Sequence, residues 1–507
     1  MVRLRSATSS STGSQSGAWL AALGVGAVAF LAARVGMLAG VGFWDTAELQ
    51  TVAPLLGTAH PTGYPTYVLL GWVANVLLSP FGEPAFRMNL FSGLCVAVAA
   101  AVTADLVRVL SRSVVLGVAA GLGLAFTTLV WRIGFQADAH ALHLALTAIL
   151  FRLLVAWEHD RRDRTLVAAT VVFGLAVGNH SLSLLLIPPI GLFVLAVEPD
   201  ILRRPGLIAG CFVALALTVV LVFLELPLRA GPFRAPLVYG HPETWDGFWY
   251  VVLAEQFRGS LVDPFGDLPG KLATLVVRTA TTFGPIAPLI PLGLVATAVM
   301  RPRYALLSAT TALITCFFAA SYVNADIERY YLVPVLIAWT WLALLAAGIA
   351  MVVARNFGEG RRPEPILAAA LAAVLLAPTA LDAPARLHSI DRSTDDIATR
   401  WLDMALDRMD EHAVIVSWWS YSTPLWYAQL VQDRRPDIDI IDDRTRLDRN
   451  LGGITDVIDA NLPTRPVYVI RIDETEIAML EARYQLDYLD GSTALSLTRV
   501  LGPRVAP

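Results

Sequence analysis

GAWLAALGVGAVAFLAARVGMLAGVGFWDTAELQ, residues 17–50, decides the fold class. From Gly17 to about Gly40 it is an apolar run whose one charge is Arg34. A run of this length can cross a hydrocarbon core, for which about 20 residues suffice. It is too long for a signal-peptide core, and no small-x-small cleavage site follows it cleanly, so we read a retained first span. The rest of the chain repeats the pattern. Of 507 residues 56% are apolar and only 16% charged, against roughly 25% charged in a soluble domain. Mean hydropathy is +0.60. Further apolar runs lie at about 87–110, 114–131, 138–157, 165–180, 182–197, 206–226, 272–300, 304–322, 331–354 and 364–382, which predicts a polytopic α-helical membrane protein of about eleven spans.

Loop charge sets the expected orientation. The segment 64–80 carries Trp72 and Asn75 and is at the lower limit of a span. If it does not cross, the basic clusters Arg3/Arg5, Arg108/Arg112, Arg161/Arg162/Arg164, Arg203/Arg204, Arg301/Arg303 and Arg355/Arg361/Arg362 all share the side of the N-terminus. That is the positive-inside pattern of a cytoplasmic face. Segment 64–80 is then an interfacial or half-buried helix on the outer face. We divide the chain into a disordered cytoplasmic N-terminus (1–16), a transmembrane domain (17–382) with a first outer loop (41–86) and a long outer loop (227–270), and an extracytoplasmic C-terminal domain (383–507). In that last part apolar periodicity shortens to strands at 413–418, 438–442 and 467–472, alternating with helical stretches near 394–410, 423–434 and 474–484. Such alternation predicts an α/β domain with a largely parallel sheet. The expected location is a bacterial plasma membrane; that Lys271 is the single lysine among 38 basic residues reflects a GC-rich genome more than function. A net charge of -4 with scattered basic residues argues against a nucleic-acid partner. Cys95, Cys211 and Cys316 all lie in apolar runs and form no disulfide framework.

The first outer loop reads Gly42-Phe43-Trp44-Asp45-Thr46-Ala47-Glu48-Leu49, with Phe43 and Trp44 placed as membrane-interface anchors. Asp45 and Glu48 are three apart and share a face on a helix. One reading is a capping box, with Asp45 as N-cap and Glu48 reaching back to its backbone N–H. The other is a carboxylate at the water–membrane boundary, suited to act as a general base. Next comes Ala59-His60-Pro61-Thr62-Gly63-Tyr64-Pro65, a Pro/Gly turn that ends the loop helix and starts the following one.

The run WDTAELQTVAPLLGTAHPTGYPTYVLLG, followed by FRMNLFSGLCVAVAAAVTADLV, resembles an Asp-Ser-Gly-Glu and His-Pro-Pro-Gly-Tyr-Pro signature with an Arg-x-Asn-Leu-Phe-Ser continuation. That signature belongs to a domain-of-unknown-function branch of the GT-C membrane glycosyltransferases, which includes a eukaryotic protein O-mannosyltransferase acting on IPT/TIG domains. Gln136–His143, Gly178-Asn179-His180 and Pro424-Leu425-Trp426-Tyr427 with Arg435-Pro436-Asp437 are similar as well. Two departures stand out: Thr46-Ala47 replaces Ser-Gly between the acids, and Trp418-Trp419-Ser420-Tyr421-Ser422 replaces an Asn-Gly-Asp-Asn-Asp stretch. Exposed aromatics there would be able to stack on sugar rings.

The resemblance implies a polyprenyl-phosphate-linked sugar donor, mannose among the candidates, used at the outer face on a hydroxyl of a protein or glycan acceptor. The acceptor hydroxyl needs one base, for which Asp45 is the candidate, with Glu48 as the second catalytic residue. The departing polyprenyl phosphate needs a fixed cation, a task suited to arginine. Arg87, Arg132, Arg258 and Arg329 lie on the expected side, each with snorkelling to the headgroups as its alternative role. Arg329 ranks first, with Glu328 and Tyr330 expected to hold it in place. Polar groups in spans are functional suspects, so His60, Tyr64, Arg87, Asp138, His143, Asn179, His180, Arg258 and Arg329 form the substrate-binding set, and His140 is expected to line the cavity or bridge helices. No HxxxH or tight four-ligand spacing is present, so neither metal nor cofactor is assigned. The rival class is a transporter or flippase of lipid-linked sugars, which would show paired halves with broken helices at the midplane. Here the acids gather at the outer boundary instead.

Overall fold

The computed structural model describes residues 11–355, 363–490 and 496–504. Its membrane part comprises α1 (Ser11–Val35), α2 (Trp44–Leu55), α3 (Pro65–Leu77), α4 (Pro84–Ser111), α5 (Val114–Ala125), α6 (Thr128–Ile133), α7 (Ala139–Asp160), α8 (Asp163–Asn179), α9 (Ile187–Val197), α10 (Pro205–Phe223), α11 (Glu225–Ala230), α12 (Trp245–Val252), α13 (Leu268–Phe283), α14 (Leu289–Met300), α15 (Pro302–Ala319), α16 (Leu332–Arg355) and α17 (Pro363–Ile390). Part of the expected disordered terminus, residues 1–10, lies outside the described residues. Its remainder is helical from Ser11 onward.

Each apolar run predicted from sequence contains helix, but not each is one straight span. By length and composition five helices among the described residues can cross a membrane, and a sixth span results if α13 and α14, bent by 82° at their break, count as one. Run 114–131 splits at Phe126-Thr127 into α5 and α6, and run 182–197 opens with a 3₁₀ turn before α9. The helices α4, α7 and α16 form the centre, with 72%, 78% and 72% of their apolar windows buried, whereas the α10 and α17 windows are 17% and 22% buried and face outward. Tight packing in the centre depends on small residues. A Cβ added to Gly117 or Gly121 of α5 would lie 2.4 Å from Ala104 O or 2.6 Å from Ala100 O of α4. This close approach is the small-xxx-small packing used where lipid provides no hydrophobic drive between helices. The helix α3 has 13 residues, which at 1.5 Å per residue spans about 20 Å, short of the ~30 Å core.

The C-terminal part comprises α18 (Ile397–Arg408), β1 (Val414–Ser417), α19 (Trp419–Trp426), β2 (Asp439–Ile441), α20 (Asp443–Asp448), α21 (Ile454–Asn461), β3 (Val467–Ile470), α22 (Glu474–Arg483), β4 (Tyr484–Tyr488) and β5 (Thr498–Pro503). The sheet order is β2-β1-β3-β5-β4. Strand β1 pairs in parallel with β2 and β3, with Val414 opposite Asp439 and Val467, while β5 pairs antiparallel with β3 and β4. The sheet is therefore mixed, because an antiparallel pair absent from the sequence reading closes one edge. Alternation along the strands gives each face its own task. Val414, Val416, Val467 and Val469 pack against α21 and Leu480, and Ile415, Tyr468 and Ile470 join the cluster that continues into the membrane helices. Tyr427, fully buried, accepts a hydrogen bond from Ala85 N at 3.0 Å.

Phe43 and Trp44, expected as interface anchors, also meet aromatics of the C-terminal part. Phe43 packs on Tyr421 and Trp401 with ring centroids 5.1 and 6.0 Å apart, and Trp44 meets Trp418 edge-on at 4.7 Å.

Candidate active site

The first loop is held by residues of the Arg87–Ser92 stretch. Gln50 of α2 accepts from Gly42 N and donates to Asn89 Oδ1, both at 2.9 Å. Asn89 also donates to Leu38 O at 2.9 Å and accepts from Ala137 N at 2.8 Å, and Ser92 Oγ accepts from Asp138 N at 2.9 Å. Two side chains of α4 thus fix both the α2 entry and the residues that open α7.

The capping-box reading fails. Asp45 lies within the first turn of α2, and the residue before the helix, Phe43, makes no side-chain cap. Glu48 has no exposed surface. One of its oxygens accepts from His60 N at 2.9 Å, and the other takes a short contact with His60 Nδ1. His60 Nε2 and Tyr64 OH lie 2.9 Å apart, within hydrogen-bonding distance. Burial alone would lower the His60 pKa, but the Glu48 carboxylate, with Asp45 behind it, raises it above the usual histidine value. Burial, reinforced by Asp45, pushes the Tyr64 phenol well above its usual range, so Tyr64 keeps its proton.

Asp45 and Arg329 meet on the wall of one cavity, which is also lined by His60, Tyr64, His140, His180, Phe257, Tyr322, Asp326 and Tyr330. Arg329 Nη1 lies 3.0 Å from Asp45 Oδ2, Nη2 lies 2.7 Å from Asp326 Oδ2, and Nε lies 3.5 Å from Asp138 Oδ2. Of the two residues expected to hold Arg329, Glu328 turns away to Arg132 at 3.2 Å, and Tyr330 lines the same cavity. Asp138 is the N-cap of α7 and accepts from His140 N at 2.8 Å and from His140 Nδ1 at 3.0 Å. Although burial opposes its charge, Arg329 and then His140 hold its carboxyl down at about 2. His180 Nδ1 accepts from Leu182 N at 3.1 Å. An accepting Nδ1 carries no hydrogen, so the ring is neutral. Behind it, His143 Nδ1 meets Ser183 Oγ at 3.3 Å, and Asn179 donates to Ala139 O at 3.0 Å.

Asp45, His60, Tyr64, Asp138, His180 and Arg329 are thus brought together, with Glu48, His143 and Asn179 in supporting contact behind them. Arg87 and Arg258 are not. Arg87 donates to Gly82 O at 2.6 Å and tethers its own turn. Arg258 pairs with Glu255 at 3.1 Å and is exposed, although its neighbour Phe257 lines the cavity. Sequence reading missed Arg444. It comes from α20, stacks over Trp419 and Tyr239 at 4.9 and 5.0 Å, and brings Nη1 to 3.9 Å from Glu48. Nothing in the local sequence Asp443-Arg444-Thr445-Arg446 marks it. Trp418 and Trp419 are half-buried against the first loop and are not an exposed stacking surface. Among the described residues no group of three or more His, Cys, Asp or Glu is placed to hold a metal ion.

Residues 45–200 match the family described as the Protein O-mannosyl-transferase TMEM260 N-terminal domain. The chain is 32% identical over 224 residues to Protein O-mannosyl-transferase TMEM260 of Mus musculus, a match covering 42% of this chain and 31% of the mouse protein. Among solved structures, ArnT from Cupriavidus metallidurans bound to undecaprenyl phosphate superposes with a TM-score of 0.56 at 16% identity, covering 97% of this chain and 98% of that one. The Archaeoglobus fulgidus oligosaccharyltransferase in its apo form gives 0.51 at 13% identity, over 92% of this chain and 73% of that one. The chain therefore shares the fold of ArnT and of the archaeal oligosaccharyltransferase, and its residues 45–200 are similar to the TMEM260 N-terminal domain.

Proposed function

We propose that the protein transfers a sugar, mannose on the TMEM260 analogy, from a polyprenyl phosphate to a hydroxyl acceptor, a protein serine or threonine, at the outer face of a bacterial plasma membrane. The observation that carries this reading is the pairing of Asp45 with Arg329 at 3.0 Å on one cavity wall. It supplies the two groups the reaction needs. Arg329 offers a planar fork of donors to the phosphate. Asp326, half exposed at the lip, is the partner it exchanges most readily. As the phosphate takes the place of Asp326 and draws the fork toward itself, Asp45 also loses its guanidinium partner and is free to receive the acceptor proton. The acceptor oxygen bonds to the anomeric carbon, the bond from that carbon to the phosphate oxygen breaks, and the phosphate leaves with its charge on Arg329. Glu48 has no exposed surface and acts through His60 as a positioning residue.

In this reading the N-terminus is cytoplasmic, segment 64–80 stays in the outer interface, and the C-terminal α/β part is extracytoplasmic. Membrane lipids surround the outward-facing α10 and α17. With Cys95, Cys211 and Cys316 replaced, a single cysteine at Glu83 should react with an impermeant thiol reagent from outside, and one at Arg162 only after the membrane is opened. The acceptor class is tested by mass spectrometry of envelope glycoproteins and glycolipids from a deletion strain and its parent. Loss of hexose from serine or threonine supports the reading, and an unchanged glycoproteome with an altered lipid or glycan removes the protein acceptor.

A further inference from the structure

The cavity that Asp45 and Arg329 line also carries two imidazoles whose tautomers are set by their outer partners. His140 Nδ1 faces Asp138 Oδ1 at 3.0 Å, and a carboxylate only accepts, so this nitrogen carries the hydrogen. His140 is 6% exposed, and its Nε2 has no hydrogen-bond partner among the described residues. In the neutral ring it is an acceptor buried without a donor. His180 is set the opposite way: Nδ1 accepts from Leu182 N at 3.1 Å, so the hydrogen of this neutral ring is on Nε2. The two ring centroids are 4.8 Å apart, tilted by 53°, and both rings line the cavity. A lone acceptor beside a lone donor suits a group that both donates and accepts, and a hydroxyl does both. A phosphate oxygen only accepts and would leave His140 unsatisfied.

The phosphate end is fixed by Arg329, which Asp138 links to His140: one carboxylate oxygen lies 3.5 Å from Arg329 Nε and the other 3.0 Å from His140 Nδ1. A sugar whose phosphate is at Arg329 brings the two ring atoms beside its anomeric carbon closest to that end, and of these the ring oxygen only accepts while the carbon carries a hydroxyl that both donates and accepts. We propose that His140 and His180 form the sugar-reading subsite: His140 Nε2 accepts from the hydroxyl on that adjacent carbon, the 2-hydroxyl, and His180 Nε2–H donates to the same oxygen. The subsite selects sugars with a free 2-hydroxyl. This assignment rests on the polyprenyl-phosphate reading above.

The test is competitive binding of polyprenyl-phosphate mannose and its 2-deoxy and 6-deoxy analogues to the purified full-length protein in detergent. An acceptor left unpaired in a buried site costs about 1–3 kcal/mol, so the 2-deoxy analogue should bind roughly 5- to 150-fold more weakly. The 6-deoxy analogue should bind like mannose. In His140→Phe the preference for the 2-hydroxyl should vanish, while His140→Gln, which keeps an acceptor oxygen, should retain part of it. If the parent binds the 2-deoxy analogue as well as mannose, the subsite is wrong whether or not the variants fold. A preference that persists in folded His140→Phe overturns it too. If the parent binds none of the three lipids, the donor reading itself fails.

Discussion

Asp45→Asn separates chemistry from architecture, because the structure assigns Asp45 little of the second. The side chain is 31% exposed and has one ionic partner, Arg329, at 3.0 Å. An asparagine oxygen can accept the same hydrogen bond, and Arg329 keeps Asp326 at 2.7 Å and Asp138 at 3.5 Å. The stability change should therefore stay within about 1 kcal/mol, the range of partly exposed ion pairs. Turnover has no such reserve. Losing the general base should lower it by roughly 10²–10⁴-fold, about 2.7–5.4 kcal/mol of barrier at 1.36 kcal/mol per tenfold. The assay is single-turnover transfer at saturating donor, with the thermal midpoint measured on the same preparation. Asp326→Asn is the internal control, since it removes a charge from the same guanidinium without removing the base, and should cost less than about tenfold. Near-parental turnover in Asp45→Asn would refute the reasoning. So would Asp326→Asn falling equally far, because neutralisation of Arg329 and not proton transfer would then be the step.

Arg329→Lys should weaken donor use by about 10- to 100-fold, since one ammonium cannot reproduce a fork shared by several oxygens, whereas Arg87→Lys and Arg258→Lys should stay within about twofold in the same titration. The His60–Glu48 pair raises the folded-state pKa of His60, so its contribution is complete below the unfolded value near 6.5 and is lost as pH rises through the higher folded value. The thermal midpoint of the parent minus that of His60→Gln should accordingly be largest near pH 6 and shrink toward alkaline pH. Gly121→Val forces a Cβ to within 2.6 Å of Ala100 O, and the separation of α4 from α5 should cost about 1–3 kcal/mol by chemical denaturation in detergent.

The positions of the helices were legible because apolar runs of this length have few alternatives. Their continuity was not, since the 82° break between α13 and α14 falls at Ala287-Pro288, inside a run that was read as one span. The strands β1, β2 and β3 were legible as short apolar bursts, and β4 was missed although Tyr484–Tyr488 alternates polar and apolar residues as a half-buried strand does, because it follows α22 with no turn residue between them. At the site, Asp45, His60 and Arg329 announced themselves as polar groups at span ends. Charge partners are set by tertiary approach, so Asp138 and Asp326 replaced Glu328 beside Arg329. The approach of Arg444 to Glu48 joins residues nearly four hundred positions apart and leaves no local trace. The exclusion of Arg87 has the same origin: the carbonyl of Gly82 was nearer.

The central claim is the lipid-linked donor, and the measurement that addresses it most directly is transfer by the purified parent protein in detergent. Radiolabelled polyprenyl-phosphate mannose and, separately, GDP-mannose would be offered with a serine- and threonine-containing acceptor domain. The account predicts label on the acceptor from the polyprenyl phosphate alone, with polyprenyl phosphate released in equal amount and no transfer by Asp45→Asn. Label arriving from GDP-mannose and not from the lipid would contradict it.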